Sequence, residues 1–239
     1  MTLLILGGTG EAKQIASVLA GQDAIVSLAG ATRTPAQMSL PTRTGGFGGE
    51  EGFRQFLTKS GISRVLDATH PFAHRITERT ARVCAELGLP YLQLLRPGWS
   101  PEAGDHWTEI AHEEEAAQHI PAGSTVFLGT GRQTLQRFDN LVGCEVICRQ
   151  IDPPEGAFPF AGGRFLVGRP PFSVADEVKL FQELNVDFLI VKNAGGAASR
   201  TKLTAANHLG IPVLMIARPP SGDWPCVTTI EAALNWVNA

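Results

Sequence analysis

The sequence predicts an α/β protein with parallel sheets flanked by helices, organised as two related halves. Three observations carry this. Short β-like runs alternate with helix-length amphipathic segments along the whole chain, the grammar of a parallel sheet. Glycine-rich turns stand where apolar runs end and helices begin. The segment "ERTARVCAELGLPYLQLLRP" is echoed by "TKLTAANHLGIPVLMIARPP", each running helix, glycine, proline, strand, Arg-Pro. The stretch "RPGWSPEAGDHW", rich in Pro, Gly and Trp, marks the crossing. The expected domains are residues 1–97 and 98–239, with a C-terminal segment able to pack back on the first.

The first half is expected to hold strands at residues 3–6, 24–28, 64–66 and 91–94, and helices at 11–20, 50–59 and 72–87. The third helix lines up Ile76, Thr80, Val83, Cys84 and Leu87 on one face, a 3.6-residue stripe. Its end reads "ELGLPYLQL": helix terminus, glycine cap, proline, next strand. In the second half, "STVFLGTGRQTLQRF" reads as strand, glycine turn and helix, and "CEVICRQ" as a further strand. "DPPEGAFPFAGGRFLVGRPPF" is a long loop with one short strand. "SVADEVKLFQEL" is a helix with Ser173 as N-cap and Asp176 three residues on, a capping-box-like start. "VDFLIVKNAGG" is a buried strand running into a glycine turn.

Composition narrows the function classes. The 239 residues are 44% hydrophobic and 18% charged, with a formal net charge of −3, which gives no footprint for nucleic acid. Apolar runs are too short for a membrane span, and the N-terminus lacks the basic and apolar regions of a signal peptide, so a cytoplasmic location is expected. Cys84, Cys144, Cys148 and Cys226 are scattered. As strand residues Cys144 and Cys148 would lie roughly 13 Å apart, too far for a disulfide or a shared metal. All four read as small buried apolar side chains. The histidines show no ligand spacing, and no metal is expected. Of the 20 basic residues 15 are arginine. Arg43, Arg96, Arg132, Arg164, Arg169 and Arg218 sit beside Gly or Pro in loops, and their rigid donor forks suit an anionic ligand.

The opening "LILGGTGEAKQIASVLA" places Gly7, Gly8, Thr9, Gly10 and Glu11 between a first strand and a first helix. A helix N-terminus there can hold a pyrophosphate, and glycine lets the backbone turn tightly and approach it. Gly8 and Gly10 match the first two glycines of GxGxxG, while Lys13 stands at the third. An NAD site usually places an acid at the end of the second strand. Here "AIVSLAGATRTP" offers Thr32 and Arg33 instead, which favours NADP(H). A Tyr-x-x-x-Lys dyad is absent, because Leu95 follows the single tyrosine, Tyr91, by four. No Gly-x-Ser-x-Gly elbow or Walker lysine is present either.

Further clusters sit at strand ends, where open α/β sheets bind ligands. "PTRTGGFGGEEGF" brings Arg43, Gly45 and Gly46. "LDATHPFAHRI" brings Asp67, a candidate cap for the following helix, and His70 with Pro71 and Phe72. His70 reads as a general acid, as a wall with Pro71 against the nicotinamide, or as a residue that hydrogen-bonds its own loop. "LGTGRQT" brings Arg132 to a helix-opening turn that favours an anion. "VKNAGGAASRTKL" brings Lys192, Asn193 and Lys202.

Taken together, "ILGGTGEA", "TRTGGFGG", "DATHPFA", "LGTGR", "VKNAGG…TKLTAA" and "GIPVLMIARP" resemble the precorrin-6A reductase family of cobalamin biosynthesis. The likeness runs from Leu3 to about Arg218, and "DATHPFA" with "GGFGG" upstream is its specific part. The resemblance implies two Rossmann-like domains with the active site in the cleft between them. It implies NADPH-dependent reduction of one macrocycle double bond of precorrin-6A to precorrin-6B. NADPH would lie over residues 7–11 with its 2′-phosphate near Arg33 and its nicotinamide against residues 70–73. The substrate, an anionic tetrapyrrole-derived ring, would meet Arg43, Arg96, Arg132, Lys192, Asn193 and Lys202 through its acetate and propionate groups. Whether the ring is metal-free or holds cobalt stays open, as do the proton donor (His70, water or a substrate carboxyl) and the oligomeric state. Two other readings are a reductase of another anionic substrate and a non-catalytic NADP-sensing protein.

Overall fold

A computed structural model describes residues 2–30 and 37–239. In chain order the first unit contributes β1 (Thr2–Leu6), α1 (Gly10–Val18), β2 (Ala24–Leu28), β3 (Thr42–Thr44), α2 (Gly49–Lys59), β4 (Ile62–Asp67), α3 (His74–Glu86) and β5 (Tyr91–Leu94). The second unit follows with β6 (Trp107–Ile110), β7 (Thr125–Leu128), β8 (Glu145–Gln150), β9 (Gly163–Val167), α4 (Val174–Glu183), β10 (Phe188–Lys192), α5 (Thr201–Leu209) and β11 (Val213–Ile216). The chain closes with β12 (Cys226–Val227) and α6 (Ile230–Asn238). Unit 1 comprises the residues up to Pro97 together with Pro219–Ala239, and unit 2 is Gly98–Arg218. The second expected domain thus runs only to Arg218. The closing segment belongs to unit 1 because β12 pairs with β5 and Ala233 of α6 is buried in the α1 core.

Each unit is a six-stranded parallel sheet. Unit 1 is ordered β12-β5-β4-β1-β2-β3 and unit 2 β6-β11-β10-β7-β8-β9. Both reproduce the doubly wound arrangement, in which ligands bind outside the carboxyl ends of the strands where the strand order reverses. In unit 1 the reversal lies between β1 and β4, where Leu6 is in register with Asp67. In unit 2 it lies between β7 and β10.

Helices on both faces explain the apolar strands. On β1, Leu3 and Ile5 pack with Ala12, Ile15 and Ala16 of α1, while Leu4 and Leu6 pack with Phe53, Leu57 and Val83 of α2 and α3. Both faces are buried, so the strand is apolar without a break. In unit 2, Phe127, Ile147, Leu189 and Val191 pack with Phe181 and Leu203 of α4 and α5. No helix among the described residues is long and apolar enough to cross a membrane.

Several expectations need correction. "GRQTLQRF" forms no α-helix, only a 3-10 turn at Leu135–Phe138. Leu135, Phe138 and Leu141 are buried at a spacing of three, which three residues per turn satisfies. α3 starts at His74, after the Pro71 loop, not at residue 72. Cys84, Cys144 and Cys148 are buried as expected, but Cys226 is exposed on the two-residue strand β12. The capping box at Ser173 and Asp176 forms as read.

Candidate active site

In unit 1 two loops meet at the β1/β4 reversal. Gly7 donates to the Ser27 carbonyl at 2.9 Å, and a Cβ on Gly7 would stand 3.1 Å from Val26 Cγ1 and 3.3 Å from Leu28 Cδ2. A side chain there would press on both, so glycine suits the close approach of the end of β1 to β2. Gly8 has φ +118°, a region that favours glycine, and a Cβ on Gly8 or Gly10 would enter open space. Thr9 is the N-cap of α1: its hydroxyl accepts from Ala12 N at 3.2 Å and donates to the Ala68 carbonyl at 2.7 Å. Glu11, in the first turn of α1, is paired with Arg96 at 2.9 Å, so the two side chains expected to hold cofactor and substrate hold each other. Thr32 and Arg33 lie outside the described residues.

The "DATHPFA" loop is built from Asp67, which is 1% exposed. One carboxylate oxygen accepts from Thr69 N at 3.0 Å and the Thr69 hydroxyl at 2.7 Å; the other accepts from the Tyr91 hydroxyl at 3.1 Å. Burial, and then the Asp67 charge, push the Tyr91 phenol far above its ordinary value. Asp67 therefore does not cap α3, whose N-cap is Ala73 without a side-chain bond; its oxygens are already committed to the turn. His70 is exposed. Its Nδ1 accepts from Phe72 N at 3.2 Å, which leaves Nε2 as the nitrogen that can carry a proton without breaking this bond. The His70 carbonyl accepts from Ala73 N at 2.7 Å, and the His70 and Phe72 rings lie 5.8 Å apart.

Beside β2, Arg43 donates to Ser27 Oγ at 2.7 Å and to the carbonyls of Gly45 and Gly46 at 3.0 and 2.9 Å. Its guanidinium carbon sits 4.0 Å from the Phe47 ring centroid. The arginine assigned to substrate thus organises the Gly45-Gly46 turn.

Unit 2 gathers its strand-end residues differently. Lys192 pairs with Glu113 at 3.4 Å and donates to Thr134 Oγ1 at 3.1 Å. Burial alone would raise the Glu113 carboxyl. The Thr134 hydroxyl, its own backbone N–H, Lys192 and Arg137 outweigh that and hold it below the ordinary value. Asn193 clamps Trp99 from both sides, accepting from Trp99 N at 2.7 Å and donating to Trp99 O at 3.0 Å. Arg132 is exposed with no side-chain partner among the described residues. Without an α-helix behind it, the expected helix-dipole support for an anion there is missing; the guanidinium itself remains available.

A profile of the precorrin-6x reductase CbiJ/CobK family matches residues 2–238. The chain belongs to the precorrin-6x reductase family. Precorrin-6A reductase of Rhodobacter capsulatus is 39% identical over 238 residues, covering 98% of this chain and 95% of that protein. The enzyme of the same name from Mycobacterium tuberculosis H37Rv is 43% identical over 239 residues, covering 98% and 96%. The solved structure of CobK precorrin-6A reductase superposes with a TM-score of 0.94 at 38% identity, over 100% of this chain and 96% of that one. This precorrin-6x reductase family member is an oxidoreductase, and a nicotinamide cofactor in general goes with that chemistry. The open space at Gly8 and Gly10, at the N-terminus of α1, fits a dinucleotide phosphate.

Sequence reasoning missed several of the groups that shape these loops. Glu113 sits in "EEEAA", which reads as a solvated acidic run, yet it is 5% exposed. Trp99 was read as part of a crossing, and no local pattern pairs it with Asn193. In this reductase Lys202 has a perturbed amine. It donates to the Ser199 carbonyl at 2.6 Å, and its stem passes so near Gly129 that a Cβ there would lie 3.3 Å from Lys202 Cδ. Burial, and then Arg149, push it down to about 8, against an opposing effect of Glu177. Below pH 8 the folded and unfolded chains both carry the proton and the full destabilisation is present. Between pH 8 and the ordinary lysine value of about 10.4 the unfolded chain binds more protons, so this group's share of stability rises with pH. Lys202→Met is expected to raise Tm at pH 7 by about 2–5 °C, with the gain vanishing near pH 10.5, as read by thermal scans across that range.

Proposed function

We propose that this protein reduces one macrocycle double bond of precorrin-6A, giving precorrin-6B in cobalamin biosynthesis, with NADPH as the hydride donor. Family membership supports the reaction. The observation that carries the site is the meeting of the glycine turn and the "DATHPFA" loop at the β1/β4 reversal, joined by the Thr9–Ala68 hydrogen bond. NADPH, when bound, supplies the hydride. Gly7, Gly8, Gly10 and the first turn of α1 hold its pyrophosphate, and Arg33 with Thr32 receives the 2′-phosphate. Residues 70–73, with Pro71 and Phe72, wall the nicotinamide, and the Gly45-Gly46 turn closes the β2 side. With Nδ1 occupied by the Phe72 N–H, the His70 ring is neutral and offers Nε2–H as a hydrogen-bond donor, so the proton to the macrocycle comes from water or a substrate carboxyl.

Among the cations assigned to the substrate, Arg132 comes first, because its donors are open to a carboxylate. Lys192 and Asn193 stand at the end of β10 and Lys202 in the first turn of α5, engaged by Glu113, Trp99 and Ser199. Arg43 and Arg96 shape the cofactor side through their bonds to the Gly45-Gly46 turn and to Glu11.

The test is NADPH oxidation, followed at the nicotinamide absorbance band, with precorrin-6A supplied by the upstream enzymes. Turnover with NADPH and little with NADH is expected; tight NADPH binding without turnover would overturn the substrate. Arg33→Ala is expected to lower kcat/KM for NADPH by roughly 10–100-fold while leaving that for NADH unchanged, since only the 2′-phosphate loses its partner.

A further inference from the structure

We infer that Thr9 is a positioning residue, which locks the loop carrying His70 against the glycine turn and does not itself contact the cofactor. The inference rests on the cofactor reading above and deepens it. A threonine hydroxyl has one proton and two acceptor lone pairs. Here the proton is committed to the Ala68 carbonyl at 2.7 Å and a lone pair to Ala12 N at 3.2 Å. The side chain that sequence reasoning assigned to the cofactor is therefore already occupied inside the protein.

Those two bonds join three elements. Ala12 belongs to the first turn of α1, whose N-terminus receives the pyrophosphate. Ala68 follows β4 directly, is 1% exposed, and donates its own N–H to the Leu6 carbonyl at the end of β1. Its peptide is thus held from one side by the ladder and from the other by Thr9. Beyond Ala68 the loop has little freedom. Asp67 fixes the N–H and hydroxyl of Thr69, and His70 accepts from Phe72 N and Ala73 N. The position of residues 70–72 relative to residues 7–11 therefore depends on the Thr9 hydroxyl. A shift of about 1 Å between reacting groups is enough to lose roughly 10²-fold in rate.

An N-cap with no further role would make a different prediction: its loss frays α1 and leaves the second loop alone. The experiment compares Thr9→Val, which keeps the shape and loses the hydroxyl, with Thr9→Ser, which keeps the hydroxyl. In the unliganded protein, hydrogen exchange of the Phe72 and Ala73 amides is expected to speed up about 10-fold in Thr9→Val and to match wild type in Thr9→Ser. With NADPH and precorrin-6A, Thr9→Val should bind NADPH within about 3-fold of wild type while kcat falls roughly 10–100-fold. The primary isotope effect from NADPH deuterated at the transferred position should rise as hydride transfer becomes limiting, and serine should restore all three. Unchanged exchange at Phe72 and Ala73 in Thr9→Val would overturn the inference. So would a loss of NADPH affinity equal to the loss of kcat. Wild-type protein that fails to bind NADPH, with the exchange change still present, would overturn the cofactor reading and leave the link between the loops standing.

Discussion

Gly8→Val is expected to abolish NADPH-dependent turnover and leave the fold in place. Gly8 has φ +118°, where an L side chain is strained by about 1–3 kcal/mol, and nothing lies within 4 Å of its virtual Cβ. The added Cβ therefore meets no protein atom. It projects into the space the pyrophosphate is proposed to fill and disturbs the turn that presents the backbone to it. kcat/KM for NADPH should fall at least ~100-fold, with Tm lowered by less than about 10 °C. NADPH titration followed by fluorescence, alongside far-ultraviolet circular dichroism, checks both halves. Wild-type affinity in Gly8→Val would show that residues 7–11 hold no phosphate. Gly7→Val offers the contrast: its Cβ would press on Val26 and Leu28, so its cost should fall on stability as well as on cofactor binding.

Glu177→Ala carries the largest expected stability loss. Arg149 and Glu177 form a two-pronged pair at 2.7 and 2.8 Å, with the side chains only 8% and 1% exposed. Removing the carboxylate strands the guanidinium in a buried site, a loss of about 3–5 kcal/mol and roughly 10 °C in Tm. The double change Arg149→Met with Glu177→Leu should recover most of this, because the cost lies in the unpaired charge and not in the missing attraction. Denaturant melts of the three variants decide it. Equal melting of Glu177→Ala and wild type would mean that water reaches the pair.

The parts of this fold legible in the sequence are those where local chemistry and global placement agree. β1 and β10 are continuous apolar runs because both faces are covered, and the Ser173 capping box is complete within four residues. The edge strands were missed because they carry little apolar signal: "TRT" at β3 is exposed on alternate residues, and "WTEI" at β6 shows two exposed polar positions. The turn at Leu135–Phe138 deceived the helical reading because buried residues three apart fit either helix type. In the candidate site the glycine turn and the "DATHPFA" loop were legible as strand-end motifs. What each charged side chain does there was not. Arg43, Arg96 and Lys192 look like free cations in sequence, and their partners Ser27, Glu11 and Glu113 are 16, 85 and 79 residues away or become neighbours only through the sheet.

The sixth strand of each sheet breaks the order of synthesis. Unit 2 receives its edge strand β6 before the central β7, so its sheet can be completed once Ile216 has been translated. Unit 1 leaves the ribosome with β5 as a bare edge, and β12 follows only after all of unit 2. At translation rates of roughly 5–20 residues per second, that wait is about 7–27 s. During it, the backbone donors and acceptors of Tyr91–Leu94 form an open template for pairing with another nascent chain. The arrival of Val227 and the Ala233 helix ends that exposure, so a segment translated after all of unit 2 finishes the sheet of unit 1.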